Sequence, residues 1–271
     1  MTTKPLVFIS HITEEQELAA VIKDEIIETN LLGCVDVFVS SDSRVNSGGQ
    51  SWLKNIEDAL QRATVFIILA SPQSINRPWI NIEAGAGWVR QLQANAASQK
   101  NIYVMPICHS GQSLSSLPKP WDTLNAVECN SVSGLQEIIN IVGTSASLTK
   151  IPKPNFDTVR AKISGLELKY SYFSKIESSV NSILSLFPIF KVAFLGQVPQ
   201  GQIVMGQKLS QHDINTVHKH RAYLESEGLI VFQMGGVQQI IGGPNSGTWV
   251  EAGMNVTPKF MATVSGKIKI N

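Results

Sequence analysis

The residues best spaced for chemistry lie in Ser74-Ile-Asn-Arg-Pro-Trp-Ile-Asn-Ile-Glu-Ala-Gly-Ala-Gly-Trp88. Pro78 suits the first turn of a helix, where its missing N–H costs nothing. Trp79 and Glu83 are four residues apart, which places an indole and a carboxylate on one helix face, near the N-terminus. A carboxylate there can accept hydrogen bonds from a ligand. Partial burial beside the indole would strengthen that interaction by lowering the local dielectric. The plainer alternative is that Glu83 only complements the helix macrodipole and that Trp79 is a packed aromatic.

Three further groups have a chemical and a structural reading. Ser10 and His11 close the apolar run 6–9, where backbone N–H groups of the next helix can meet phosphates; a lone histidine there is more often structural. Asp42-Ser-Arg-Val-Asn-Ser-Gly-Gly-Gln-Ser-Trp52 centres on Ser47, Gly48 and Gly49. By default it is a flexible turn, and alternatively a loop that closes over substrate or contacts a neighbouring domain. Lys208, His218, Lys219 and Arg221, with His212 and His220, gather around one helical stretch. They suggest nucleic acid, against the bland reading of a docking module. Gly85 and Gly87 read as close helix packing. Cys34, Cys108 and Cys129 are scattered without metal-ligand spacing, and read as thiols in a reducing cytosol.

The elements that must position these residues follow from periodicity. Runs 6–9, 34–39, 65–70 and 102–107 are nearly continuous in Val, Ile and Phe, as strands buried on both faces of a parallel sheet are. Helical stripes separate them: Leu18, Val21, Ile22, Ile26; then Trp52, Leu53, Ile56, Ala59, Leu60, Ala63; then Trp79, Ile82, Ala86, Val89, Leu92. A fifth strand near 124–128 and a helix near 135–142 complete a doubly wound α/β unit with a five-stranded parallel sheet. Residues 144–156, small, polar and proline-punctuated, read as a linker between residues 1–143 and 157–271.

Beyond it, Phe173, Ile176, Val180, Ile183, Leu184 and Phe187 form a stripe ending at Pro188. Ile214, Val217, Arg221 and Leu224 share the next helix face, and Gly228 is a natural stop. Runs 229–233 and 237–241 predict a hairpin turning at Gly235-Gly236. This rhythm resembles a winged helix-turn-helix over about residues 190–265, a smaller α+β domain.

The 271 residues are 43% hydrophobic and 16% charged, with a net charge of +1. That suits an ordinary globular protein, and no apolar run is long enough for a membrane span. Residues 1–150 carry 10 Lys/Arg against 14 Asp/Glu, and residues 151–271 carry 12 against 7. The sign change favours two domains with different partners. Met-Thr-Thr-Lys-Pro runs straight into a strand-like segment, so no signal peptide is expected and a cytoplasmic location is.

Residues 4–143 resemble a Toll/interleukin-1 receptor (TIR) domain on three motifs in order: Phe8-Ile-Ser-His11, the loop 42–52, and Trp79 with Glu83. The likeness is greatest to bacterial members, often joined to a second domain and implicated in phage defence. It implies a flavodoxin-like fold and an NAD glycohydrolase, in which Glu83 is catalytic and Trp79, Ser10, His11, Asp42, Ser47 and Gly48 contact NAD. NAD is then substrate, with no cofactor or metal. The resemblance also implies self-association through TIR domains; separately, a nucleic acid or protein trigger is expected at the C-terminal domain. Ile80 departs from the family, many of whose members have Cys after the Trp. The alternatives are a non-enzymatic TIR scaffold, a DNA-binding regulator acting through the winged helix, and a nucleoside deoxyribosyltransferase.

Overall fold

The computed structural model describes residues 4–40, 50–97, 101–197, 203–240 and 247–270. The chain divides into two compact units, Met1–Ser171 and Tyr172–Asn271.

In the first unit, β1 (Leu6–Ser10), β2 (Asp36–Val39), β3 (Ala63–Ala70), β4 (Tyr103–Cys108) and β5 (Val127–Glu128) form one sheet in the order β2-β1-β3-β4-β5. All pairs are parallel, and the order is the flavodoxin-like one expected. Alternate residues feed two cores, which is why the strands read as continuous apolar runs. Val7, Ile9, Val65, Ile67, Met105 and Ile107 enter one; Phe8, Phe66, Ile68, Val104 and Cys108 enter the other. The first crossover is α1 (Gln16–Val21), a π-wound stretch (Ile22–Glu28) and α2 (Thr29–Leu31). The others are α3 (Gln50–Arg62), α4 (Pro78–Ala96) and, after β5, α5 (Val132–Ser145).

The structure turns α4 around relative to its apolar stripe. Ile82, Val89 and Leu92 are about half exposed, whereas Ile80, Glu83, Ala84, Gly87 and Ala94 face inward. Three of these, Ala84, Gly87 and Ala94, are small, and the helix comes close to the sheet at Gly87. A Cβ on Gly87 would stand 2.9 Å from the Phe66 ring, while one on Gly85 would meet nothing within 4 Å. Close packing therefore explains Gly87 and not Gly85.

The segment read as a linker packs on the first unit. Leu148 N donates to Gly143 O at 3.0 Å, Gln136 Nε2 donates to Pro152 O at 2.9 Å, and Phe156 is buried. The following helix α6 (Asp157–Leu186) puts Val159 and Ile163 into the first core, and Ile176, Val180, Ile183 and Leu184 into the second. The units thus part within α6 rather than across 144–156.

The second unit holds α7 (Lys191–Phe194), β6 (Ile203–Lys208), α8 (Gln211–Ser226), β7 (Ile230–Ile240), β8 (Gly247–Val256) and α9 (Pro258–Thr263). The three strands pair antiparallel in the order β6-β8-β7. Ser210 and Asp213 cap the start of α8 reciprocally, and Gly228, at φ +67°, ends it. The predicted turn at Gly235-Gly236 is instead a bulge inside β7. Met234 pairs with Ala252 and Val237 with Val250, so two glycines oppose Glu251 alone. Paired glycines between two β-rich runs signal a turn or a bulge equally, and β8 supplies the true hairpin partner.

Candidate active site

Glu83 lies on the second turn of α4, a helix that Pro78 opens after an extended Arg77. Its side chain is fully buried. The Ser10 hydroxyl, at the carboxyl end of β1, donates to Glu83 Oε2. Burial pushes the carboxyl up to about 7, while the Ser10 hydroxyl and, after it, the Trp79 indole pull it back. Among the described residues, no donor makes a well-aligned hydrogen bond to Oε1. Trp79 itself is 38% exposed, so one indole edge faces the carboxylate while much of the ring meets solvent. The helix is anchored beneath by Ile80 and Ala84, and Arg90 Nη1 donates to Leu60 O and Ala63 O at 2.6 and 2.7 Å. A buried carboxyl near neutrality, rigidly held beside a half-exposed ring, can switch between neutral and anionic forms as a cationic ligand arrives.

Next to it lies a buried polar cluster that the sequence did not announce. Glu15 Oε2 accepts from Ile12 N at 3.2 Å, and Oε1 accepts from the Ser71 hydroxyl at 2.7 Å. His109 Nε2 stands 3.2 Å from the same Oε1. The Tyr170 hydroxyl lies 3.2 Å from Ser71 Oγ and donates to Gln73 Oε1 at 2.9 Å. In sequence, Glu15 and Tyr170 both lie off the apolar stripes and outside the motifs. The pairing of Ser71 with Ser74 just after a strand was the available hint, since serines there tie turns.

His11 is buried, its Nδ1 2.6 Å from Ile12 O. Burial lowers its pKa, and the charges acting on it are Glu15 and Glu14. Asp42, Ser47 and Gly48 lie outside the described residues. In the second unit Lys208, His218 and Lys219 are exposed. Arg221 is not available as a free cation: its Nε donates to Glu225 Oε2 at 2.9 Å and its guanidinium lies 5.9 Å from the centre of the Phe232 ring. His220 Nδ1 is 3.1 Å from Ser179 Oγ. Cys108 and Cys129 are buried free thiols, and burial pushes Cys108 up to about 11. Among the described residues no group of His, Cys, Asp or Glu could hold a metal ion, and no helix is long and apolar enough to cross a membrane.

Comparison with known proteins agrees with the fold. No curated protein matches the chain. Among solved structures, a metazoan TIR-STING receptor from C. gigas in complex with 2′,3′-cGAMP is similar at 17% identity and a TM-score of 0.39. That match covers 70% of this chain and 55% of the receptor chain, and is too loose to transfer any property. The family model of the TIR domain matches residues 7–138, the span of the five-stranded sheet and its crossovers. Over those residues, just under half of the chain, the sequence is similar to TIR domains.

Proposed function

We propose that the TIR domain cleaves NAD between nicotinamide and ribose, with Glu83 as the catalytic residue. The observation that carries this reading is a fully buried carboxyl, pushed up to about 7, held by Ser10 at the carboxyl end of a parallel strand. Open α/β sheets bind ligands at that edge. As the ribose C1′–N bond breaks, its electron pair leaves with nicotinamide, which departs neutral and needs little acid catalysis. The sugar left behind is oxocarbenium-like, and an anionic Glu83 stabilises it. Water then attacks C1′ and gives up a proton, yielding ADP-ribose; attack by the adenine end would give a cyclised product. The pyridinium charge of bound NAD favours ionised Glu83, so substrate itself arms the residue. The decisive test is nicotinamide release by the full chain and by Glu83→Gln, which removes the charge and keeps the shape. Release by wild type alone supports the reading; equal release from both overturns the role of Glu83. A wild type without turnover at any concentration favours the scaffold alternative.

A separate reading concerns the second unit, whose helix α8 and β7–β8 hairpin fit a winged-helix-like module. Exposed Lys208, His218 and Lys219 support contact with a nucleic-acid backbone, and the engaged Arg221 leaves it few cations. Duplex binding that weakens steeply with salt and falls in Lys219→Glu would support it. Self-association through TIR domains, and a regulatory role in a bacterial defence system, belong to the same proposal.

A further inference from the structure

We propose that Tyr170 is a positioning residue for the Glu83 helix, its hydroxyl fixing the connection 71–77 from which α4 starts. The kinetic side of this inference rests on the NAD-cleaving reading; the structural side does not.

The connection from β3 to α4 decides where Pro78 begins its helix, and so where Trp79 and Glu83 stand. Its first half is tied locally. Ser71 N donates to Ser74 Oγ at 2.7 Å, Ser74 N donates to Ser71 Oγ at 3.1 Å, and Ser74 Oγ donates to Leu69 O at 2.9 Å. These bonds close a turn upon itself, and its placement against the rest of the unit needs outside partners. Glu15 supplies one through the Ser71 hydroxyl at 2.7 Å. Arg77 adds an ion pair, its Nη2 3.6 Å from Glu14 Oε1, and Tyr170 supplies a third tie, its single hydroxyl proton shared between Ser71 Oγ at 3.2 Å and Gln73 Oε1 at 2.9 Å.

Tyr170 is itself firmly held. Its ring packs with the core that contains Ile80 and Ala84, and lies 5.8 Å from the His109 ring. One turn earlier, Glu167 Oε1 accepts from Ser110 N at 3.1 Å and Oε2 from Asn130 Nδ2 at 3.4 Å. Arg160 Nε donates to Asn130 O at 3.3 Å. The first half of α6 therefore grips the connections that follow β3, β4 and β5, three loops at the edge where the candidate site lies. Among the hydrogen bonds that α6 makes to described residues, the tie at Tyr170 is the one that reaches the segment leading to Glu83. Removing the hydroxyl leaves the ring, the core and the other two ties in place.

The test uses the full chain and two variants, Tyr170→Phe and Gln73→Ala, alone and combined. Tyr170→Phe is expected to lower kcat for nicotinamide release about tenfold with KM within about twofold, because small misplacements of a reacting group are costly. Gln73→Ala removes the acceptor and should reproduce the loss, and the double variant should be no worse than either single one. Amide hydrogen exchange over residues 72–83 is expected to quicken in Tyr170→Phe, with β1 and α5 unchanged. Unchanged exchange in that segment, or equal quickening throughout the unit, overturns the proposal. So does additivity of the two losses. Quickened exchange in 72–83 alone, in a protein whose wild type releases no nicotinamide, sustains the positioning role and overturns the proposed reaction.

Discussion

Glu83 sits where its charge is expensive. Below its ordinary value of 4.5, folded and unfolded chains are both protonated there; between 4.5 and about 7 the unfolded chain gives up its proton first. Stability therefore falls as pH rises through that window, by about 3 kcal/mol once the pH exceeds 7. Glu83→Gln keeps an acceptor for Ser10 and never ionises, so its Tm should match wild type near pH 4.5 and exceed it at pH 8. Equal melting curves at pH 8 would show that the carboxyl is not strained by burial. The same value shapes catalysis. If the anion is the working form, kcat/KM should climb with pH through about 7, and the limb in kcat should lie lower because bound pyridinium favours the anion. Ser10→Ala deletes the hydrogen bond that holds the carboxyl down. Its limb should move above 7, with a severalfold loss at pH 7 that recovers at higher pH; a limb that stays put would detach Ser10 from Glu83.

At the scale of elements, Trp79 and Glu83 were legible because a four-residue spacing on one helix face needs no tertiary knowledge. The first four strands were legible for a similar reason, since burial in the sheet writes nearly continuous apolar runs, whereas β5 is only Val127–Glu128 and neither residue is buried. The orientation of α4 was not. Periodicity marks an apolar stripe but not which side the sheet takes, and here the sheet takes small residues, with Gly87 against Phe66. Residues 144–156 misled because Pro, Ser and Thr describe local conformation and not packing, whereas Leu148, Ile151 and Phe156 join the first core. The Glu15–Ser71–Tyr170 cluster joins residues up to 155 positions apart (15 to 170), and no local pattern records such a meeting. A consequence follows for domain dissection. Burying Phe156, Val159 and Ile163 contributes about 1.5–3 kcal/mol each, together comparable with the whole stability of many domains. A fragment of residues 1–171 should unfold cooperatively, and one of residues 1–143 should lack a sharp transition. A sharp transition at similar temperature from 1–143 would show that the added segment is dispensable.

For the whole molecule, the outer face of α4 is the feature left without a role by folding alone. Ile82, Val89 and Leu92 are exposed by 57, 49 and 52%, and continue from Trp79 beside the candidate site. The only charged residues of this nineteen-residue helix are Glu83, buried, and Arg90, which bonds to Leu60 O and Ala63 O. A face without charge meets no like-charge penalty when a two-fold axis sets it against its own copy, and contiguous exposed apolar surface favours such a contact. Pairing there would also restrain the start of α4 and the loops around it, lowering the entropy cost of closing the site on NAD. Specific activity should then rise more than linearly with protein concentration, in step with a sedimentation shift from monomer to larger species. Val89→Asp would set two carboxylates against each other across the axis. It should hold the protein monomeric and its specific activity low and flat, with little change in Tm because the side chain is half exposed. Wild-type specific activity that stays level across a hundredfold dilution, with Val89→Asp sedimenting and turning over identically, would show that one copy is competent and that this face serves no assembly.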